Sequence, residues 1–425
     1  MMNRFLSLAV AVLLLTLCIL PLASCDGEDG ETVTLYVYNW GEYMSDGSED
    51  SLDVNEAFEE WYYDTYKVKV EVNYSTYSSN ESMYAKLSSG SVNYDVVVPS
   101  DYMIERMIAE DMLEKLDFDL LPNIGNIDSA FFGDEAVYDY YDPDNLYAVP
   151  YMYGMIGIIY NTTMVDATDP SLGSWKLMWD ERHAGNILQF NNSRDAFGTA
   201  QYYLGLDVNS KDEAEWRQAL EKLREQKPIL QGYVMDEIFN KMENGSAAIA
   251  AYYAGDFLSM YENNPDLEFF YPAEGTNLYV DAMCIPKSSQ NKEIAHAYID
   301  FMLTEAPAVA NAEYTYYASP NTIVRENEEY IEYMNSIKEP VVDDEHPENS
   351  RPGGYELMYG TDAVPTSSYK NLNGKRLMML NGLWEELKSD IDVGLPIYVM
   401  CGAILAILIG GGIFLGVRKR IRDKY

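Results

Sequence analysis

Two short segments place aromatic rings where an apolar run ends. Tyr36-Val37-Tyr38-Asn39-Trp40-Gly41-Glu42-Tyr43 is one, and Val96-Val97-Val98-Pro99-Ser100-Asp101-Tyr102 is the other. Each reads as a buried strand leaving into a turn, and in open α/β sheets ligands bind outside the carboxyl ends of strands. Aromatic faces there seat a cation or an apolar ligand. A buried ammonium needs a carboxylate partner, without which its desolvation is not offset. The chemistry is that of a receptor for a small organic cation. No nucleophile, base and orienting group stand at interpretable spacing, so no enzyme is expected. No Walker A motif, nucleotide-binding glycine signature or zinc-ligand spacing occurs, and His183, His296 and His346 are far apart in sequence. No cofactor and no metal are expected.

Charge narrows the partners. Leaving out Arg4 and the basic tail reduces the 29 basic residues to 23, and leaving out Asp423 reduces the 69 acidic residues to 68. The stretch between is near −45, which excludes nucleic acid and favours a cation.

The ends address the chain to a membrane. Arg4, an apolar run from Phe5 to Leu22, and Leu22-Ala23-Ser24-Cys25 read as a signal peptide over residues 1–25. Leu-Ala-Ser-Cys resembles the lipobox of bacterial lipoproteins, a resemblance that implies lipidation of Cys25. Ile397 to Val417 is an uncharged run long enough to cross a bilayer. The basic residues of 418–425 put that tail in the cytoplasm and the body outside. Cys284 is the single Cys of the exported body, so no internal disulfide is expected there.

The elements that must position the aromatic and acidic residues alternate. Strands are expected at Thr32–Tyr38, Val68–Tyr74 and Tyr94–Pro99, with helical patterns at Leu52–Tyr66, Ser82–Leu87 and Ile104–Glu110. Such alternation predicts an α/β layer fold with a mainly parallel sheet. A strand pair is expected over Leu146–Tyr151 and Gly154–Tyr160. Further strands are expected at Ala247–Tyr253 and Asn277–Pro286. Helices are expected over Asp207–Gln226 with a cap at Ser210, then over Glu293–Thr304, Ala306–Tyr314 and Arg376–Lys388. Glu339–Gly354 reads as a loop.

The order of motifs resembles the spermidine/putrescine-binding proteins of bacterial ABC polyamine importers. The segments that carry it are Tyr38–Tyr43, Ser75–Leu87, Tyr94–Ser100, Val149-Pro150-Tyr151, Asp281 ahead of Ile285-Pro286, and Ser319-Pro320-Asn321. The resemblance runs from about Thr34 to Lys388. It implies a two-lobed, type II periplasmic-binding-protein-like α/β fold with hinge-crossing strands and a cleft that closes on ligand. Lobe one would be 32–153 plus 283–316, and lobe two 154–282 plus 317–390; the transmembrane helix expected over 396–417 comes from the apolar run and is the part the resemblance does not explain. The resemblance further implies capture of spermidine or putrescine and delivery to a permease with its cytoplasmic ATPase. The other reading is a membrane-anchored sensor, or a receptor for another small cation or neutral solute.

Carried over position by position, the resemblance implies that Trp40 and Tyr43 pack along the methylenes of a polyamine. Ser100 and Tyr102 match its Pro-Ser-x-Tyr turn. Asp195 would take a terminal ammonium and Asp281 an inner amine, with Tyr317 the aromatic before Ser319. Asn192 stands where the family often has a second acid, and Tyr252 and Tyr279 where it commonly has Trp.

Overall fold

The computed structural model describes residues 32–48, 51–345 and 350–389. The signal segment 1–25, Cys25, the apolar run 397–417 and the basic tail lie outside the described residues. Among those that are described, no helix is long and apolar enough to cross a membrane. Two compact units emerge: one holds the chain up to Tyr153 and again Val280–Tyr355, the other Gly154–Tyr279 and the chain from Glu356.

In unit one, β1 (Val33–Trp40) is the first strand. The helix α1 (Val54–Tyr66) starts at Asp53, whose carboxylate accepts from the Asn55 and Glu56 amides, and ends at Lys67 in the left-handed region. A carboxylate at that position satisfies two of the free first-turn donors. β2 (Val70–Tyr77) follows, then α2 (Asn80–Ser88), β3 (Val96–Val97) and α3 (Asp101–Ala109). β1 lies parallel to both β2 and β3, in register from Val33↔Val70 to Trp40↔Tyr77 and from Val37↔Val96. The sheet thus delivers Trp40 and Ser100 to the same, carboxyl, end of neighbouring strands. β4 (Ala148–Asn161) is one continuous strand along which the chain passes into unit two, where the sequence suggested a pair. Pro150 does not interrupt it.

In unit two, β5 (Ile187–Phe190) leads into α4 (Ser193–Leu204), then α5 (Glu213–Gln226), β6 (Leu230–Val234), α6 (Glu237–Glu243), β7 (Ile249–Tyr253), α7 (Ala254–Asn263) and β8 (Leu267–Phe270). β4 pairs antiparallel with β7 and β8, β7 lies parallel to β5, and β5 parallel to β6. The cap of α5 is Asp212, not Ser210; the Ser210 hydroxyl instead accepts from the Asp212 amide at 3.0 Å. Phe197, Trp216, Leu220 and Leu223 form the core with Leu380, Leu383 and Leu387 of α11 (Gly374–Ser389), the returning end of the chain.

Strand β9 (Thr276–Cys284), fully buried, carries the chain back to unit one, where Cys284 pairs antiparallel with Val97. There α8 (Lys292–Met302) and α9 (Glu305–Thr315) cover the sheet, Tyr298 and Phe301 meeting Phe58 of α1 at 5.0 and 5.6 Å. Residues 317–355, which the resemblance assigned to lobe two, fall within unit one. Ala318 bridges Tyr153 there, and Tyr330 of α10 (Glu328–Ile337) is fully buried. Asp95 closes this unit: its carboxylate accepts from the Tyr36 amide at 3.0 Å, the Ser289 hydroxyl at 2.7 Å and the Asn291 amide at 3.2 Å.

Candidate functional site

In unit one the site is built around Asp281. This residue sits in the middle of β9, is 4 % exposed, and is bridged to Ser100 across to the β3 end. Its Oδ2 accepts from the Tyr43 hydroxyl at 2.7 Å. Its Oδ1 is buried with no hydrogen-bond partner among the described residues. Burial pushes the carboxyl up to about 6, opposed by the Ser100 and Tyr43 hydroxyls. A buried carboxylate with an acceptor to spare can take an N–H donor that carries positive charge.

Aromatic rings flank that seat. Tyr43 meets Tyr317 edge-on at 5.0 Å and Tyr151 at 5.8 Å, and the Tyr151 hydroxyl donates to the Tyr43 carbonyl at 2.9 Å. The turn before Tyr43 contains Glu42 at φ 49°, which turns the chain sharply out of β1. Trp40 is half-buried, its indole N–H donating to the Val98 carbonyl at 2.9 Å and its ring lying 4.7 Å from Tyr77. The indole is therefore locked by the neighbouring strand, its orientation set by a bond that costs no exposed polar group. Ser100 and Tyr102 are held by Asn80, whose amide donates to Ser100 Oγ at 3.0 Å and to the Tyr102 hydroxyl at 3.1 Å. The Tyr102 hydroxyl donates in turn to Glu81 at 3.0 Å.

Unit two brings a second buried carboxylate. Asp195, in the first turn of α4 and 5 % exposed, accepts from the Tyr253 hydroxyl at 2.8 Å. Tyr253 in turn meets Tyr279 edge-on at 5.5 Å. Burial and the nearby Asp195 charge both push the Tyr253 hydroxyl well above its ordinary value, so it stays a neutral donor. The Asp195 neighbour Arg194 donates to the Val208 carbonyl at 2.8 Å and to Asn209 at 2.7 Å, with its plane 4.4 Å from Tyr369. The Asn192 side chain caps α4 by accepting from the Arg194 amide.

A family model described as bacterial extracellular solute-binding protein matches residues 54–337. This chain belongs to the bacterial extracellular solute-binding proteins. It is 33% identical over 294 residues, 69% of this chain and 79% of the other, to a spermidine/putrescine-binding periplasmic protein of Salmonella typhimurium. It is 27% identical to the putrescine-binding periplasmic protein PotF of Escherichia coli, over 68% of this chain and 79% of that one. Among solved structures, the spermidine/putrescine ABC transporter substrate-binding protein PotD from Streptococcus pneumoniae superposes with a TM-score of 0.61. It shares 30% identity, with 84% of this chain and 98% of that chain covered. The PotD lipoprotein of Treponema pallidum gives 0.65 at 26% identity, covering 83% and 99%.

Within this solute-binding protein, unit one gathers Tyr43, Ser100, Asp281 and Tyr317 around one carboxylate, with Trp40 and Tyr102 fixed at the adjacent strand ends. Unit two gathers Asp195 and Tyr279. Tyr252 is 2 % exposed, stacks on Phe190 at 5.4 Å and lies 4.9 Å from the Tyr253 ring. The residue whose hydroxyl reaches Asp195 is Tyr253, which sequence reasoning missed, and Tyr151 and Asn80 were missed as well. A Tyr-Tyr pair on a strand is a visible signal, but it does not say which hydroxyl reaches the carboxylate. Asp169, Asp180 and His183 form a group that could hold an ion, yet the Arg182 guanidinium already bonds both carboxylates.

Proposed function

We propose that this protein is the membrane-attached extracellular receptor of an ABC importer and captures a polyamine for its permease and cytoplasmic ATPase. The observation that carries the ligand class is the buried Asp281, with one oxygen bonded to Tyr43 and the other without a partner among the described residues, amid tyrosine rings. In unit two, Asp195 with Tyr253 and Tyr279 forms an acidic, aromatic group of its own. The rings contribute roughly 0.5–2 kcal/mol each towards a cation. The relatives named for spermidine and putrescine support the same class. Asn192 offers a neutral side chain already used as a helix cap, so a doubly charged diamine suits unit two at least as well as spermidine does.

Attachment rests on the sequence: Leu22–Cys25 as a lipidation signal, and 397–417 with its basic tail as a spanning helix. The Treponema relative described as a lipoprotein supports the first. Both ends would then hold the body outside the cytoplasm, and the helix would raise the local receptor concentration at the permease.

Titration calorimetry of the intact protein with putrescine, spermidine, spermine and a neutral amino acid tests the reading. Saturable polyamine binding at micromolar affinity, about −8 kcal/mol or tighter, is expected, with no heat from the amino acid. Binding of the amino acid in place of any polyamine would move the assignment to a neutral solute.

A further inference from the structure

The residue between Ser100 and Tyr102 faces inward. Asp101 is fully buried. Its Oδ1 accepts from the Tyr102 amide at 2.6 Å. Its Oδ2 accepts from the Val280 amide at 3.3 Å and from the Tyr140 hydroxyl. Val280 immediately precedes Asp281 on β9, and Ser100 immediately precedes Asp101. One carboxylate therefore ties the turn that presents Ser100 and Tyr102 to the strand that presents Asp281.

We propose that Asp101 is a positioning residue for the cation seat, and that an organic ammonium arriving at Asp281 expels a proton from the Asp101–Asp281 pair. The second half rests on the polyamine reading; the first does not. Burial in one apolar region keeps two carboxylates from ionising together, because each charge raises the cost of the other. Burial pushes Asp101 up to about 7, and the charge on Asp281 adds to that, while the Tyr140 hydroxyl and two amides oppose it. The groups facing the pair are Tyr140 and Tyr141 from the loop after α3, Ser100 from the turn, Tyr43 beyond β1, and Tyr77 of β2. Burial holds the Tyr77 and Tyr141 hydroxyls well above their ordinary value, so the proton of the pair sits on a carboxyl, and on Asp101 before Asp281. A cation against Asp281 supplies the missing opposite charge, both carboxyls ionise, and the proton leaves to solvent.

The linkage has a ligand-free signature. An acid whose folded-state value is raised holds its proton longer folded than unfolded. Stability is then highest below the unfolded value near 3.8 and falls as pH rises towards 7. The test uses the intact protein. Putrescine titrations between pH 5.5 and 8, in two buffers of different ionisation heat, read the protons released. Melting profiles over the same range without ligand read the pair itself.

The wild type should release a proton fraction that peaks between pH 6 and 8, and its affinity should rise by about tenfold across that transition. Asp101→Asn should bind putrescine with the release largely lost and with a smaller fall in melting temperature towards high pH. Tyr140→Phe, which removes a donor to the ionised form, should move the release to higher pH; it keeps the test open should the Asn variant misfold. Equal proton release in wild type, Asp101→Asn and Tyr140→Phe overturns the proposal. Absence of polyamine heat at every pH, with melting profiles that still separate wild type from Asp101→Asn, refutes the polyamine reading and the displacement with it, while the positioning role is upheld.

Discussion

Tyr43→Phe isolates one bond of the cation seat. The ring, which meets Tyr317 at 5.0 Å and Tyr151 at 5.8 Å, is kept, and only the hydroxyl that donates to Asp281 at 2.7 Å is lost. That bond favours the ionised carboxyl, and a hydrogen bond to a charged group is worth about 1.5–3 kcal/mol. At about 1.4 kcal/mol per pKa unit, its loss raises Asp281 by about one to two units. Starting from about 6, the carboxyl then titrates near or above neutrality. The ionised fraction at pH 7 drops, and affinity for a diamine there should fall by about two- to tenfold. At pH 9 both proteins should bind alike, because Asp281 is ionised in each. Calorimetric titration with putrescine across pH 6–9 is the assay. A deficit of the same size at every pH would refute the reasoning, since it would mean that the hydroxyl acts on the ligand directly and not through the carboxylate.

Asp281→Asn should weaken polyamine binding by more than about tenfold, by leaving a buried ammonium without its counter-charge; unchanged affinity in folded protein would remove Asp281 from the site. Tyr253→Phe should weaken polyamine binding, as it strips the 2.8 Å hydrogen bond from Asp195, whereas Tyr252→Phe should leave affinity within about twofold because the hydroxyl that donates to Asp195 is that of Tyr253. Gly157→Ala should lower the melting temperature sharply. Its Cβ would enter the space of the Phe269 ring and lie 2.6 Å from the Phe270 carbonyl, an overpacking cost of about 1–3 kcal/mol or more. Deleting residues 396–425 should reduce uptake and co-purification with the permease if that segment anchors the receptor there; unchanged values of both would remove the role.

Legibility tracked the strength of the local pattern. Strands β1 and β2 and helix α1 alternate apolar and polar residues at clear periods, and the structure has them within a few residues of expectation. Helix α4 was not read from the sequence. Ala196, Phe197, Gly198, Thr199, Ala200 and Gln201 are all buried, polar Thr199 and Gln201 included, so burial does not follow one face of this helix. Close approach explains part of this composition: a Cβ at Gly198 would run into the Tyr369 hydroxyl. The short strand β8 and the helices α6 and α7 were likewise unread.

The sequence by itself determined the family, the acidic and aromatic character of the site, and the strand ends that carry Trp40 and Ser100. These follow from local runs, turn residues and motif order, which need no long-range contact to be read. The tertiary structure decided which Tyr of the 252–253 pair meets Asp195, because that depends on β7 pairing with β4 at Gly157↔Tyr252. It also decided that residues 317–355 belong to unit one, and that Asp101 lies buried beside Asp281. Asp101 and Val280 are 179 residues apart in sequence. Only the register of β9 against β3 brings them together, and no local pattern encodes the burial that raises both carboxyls.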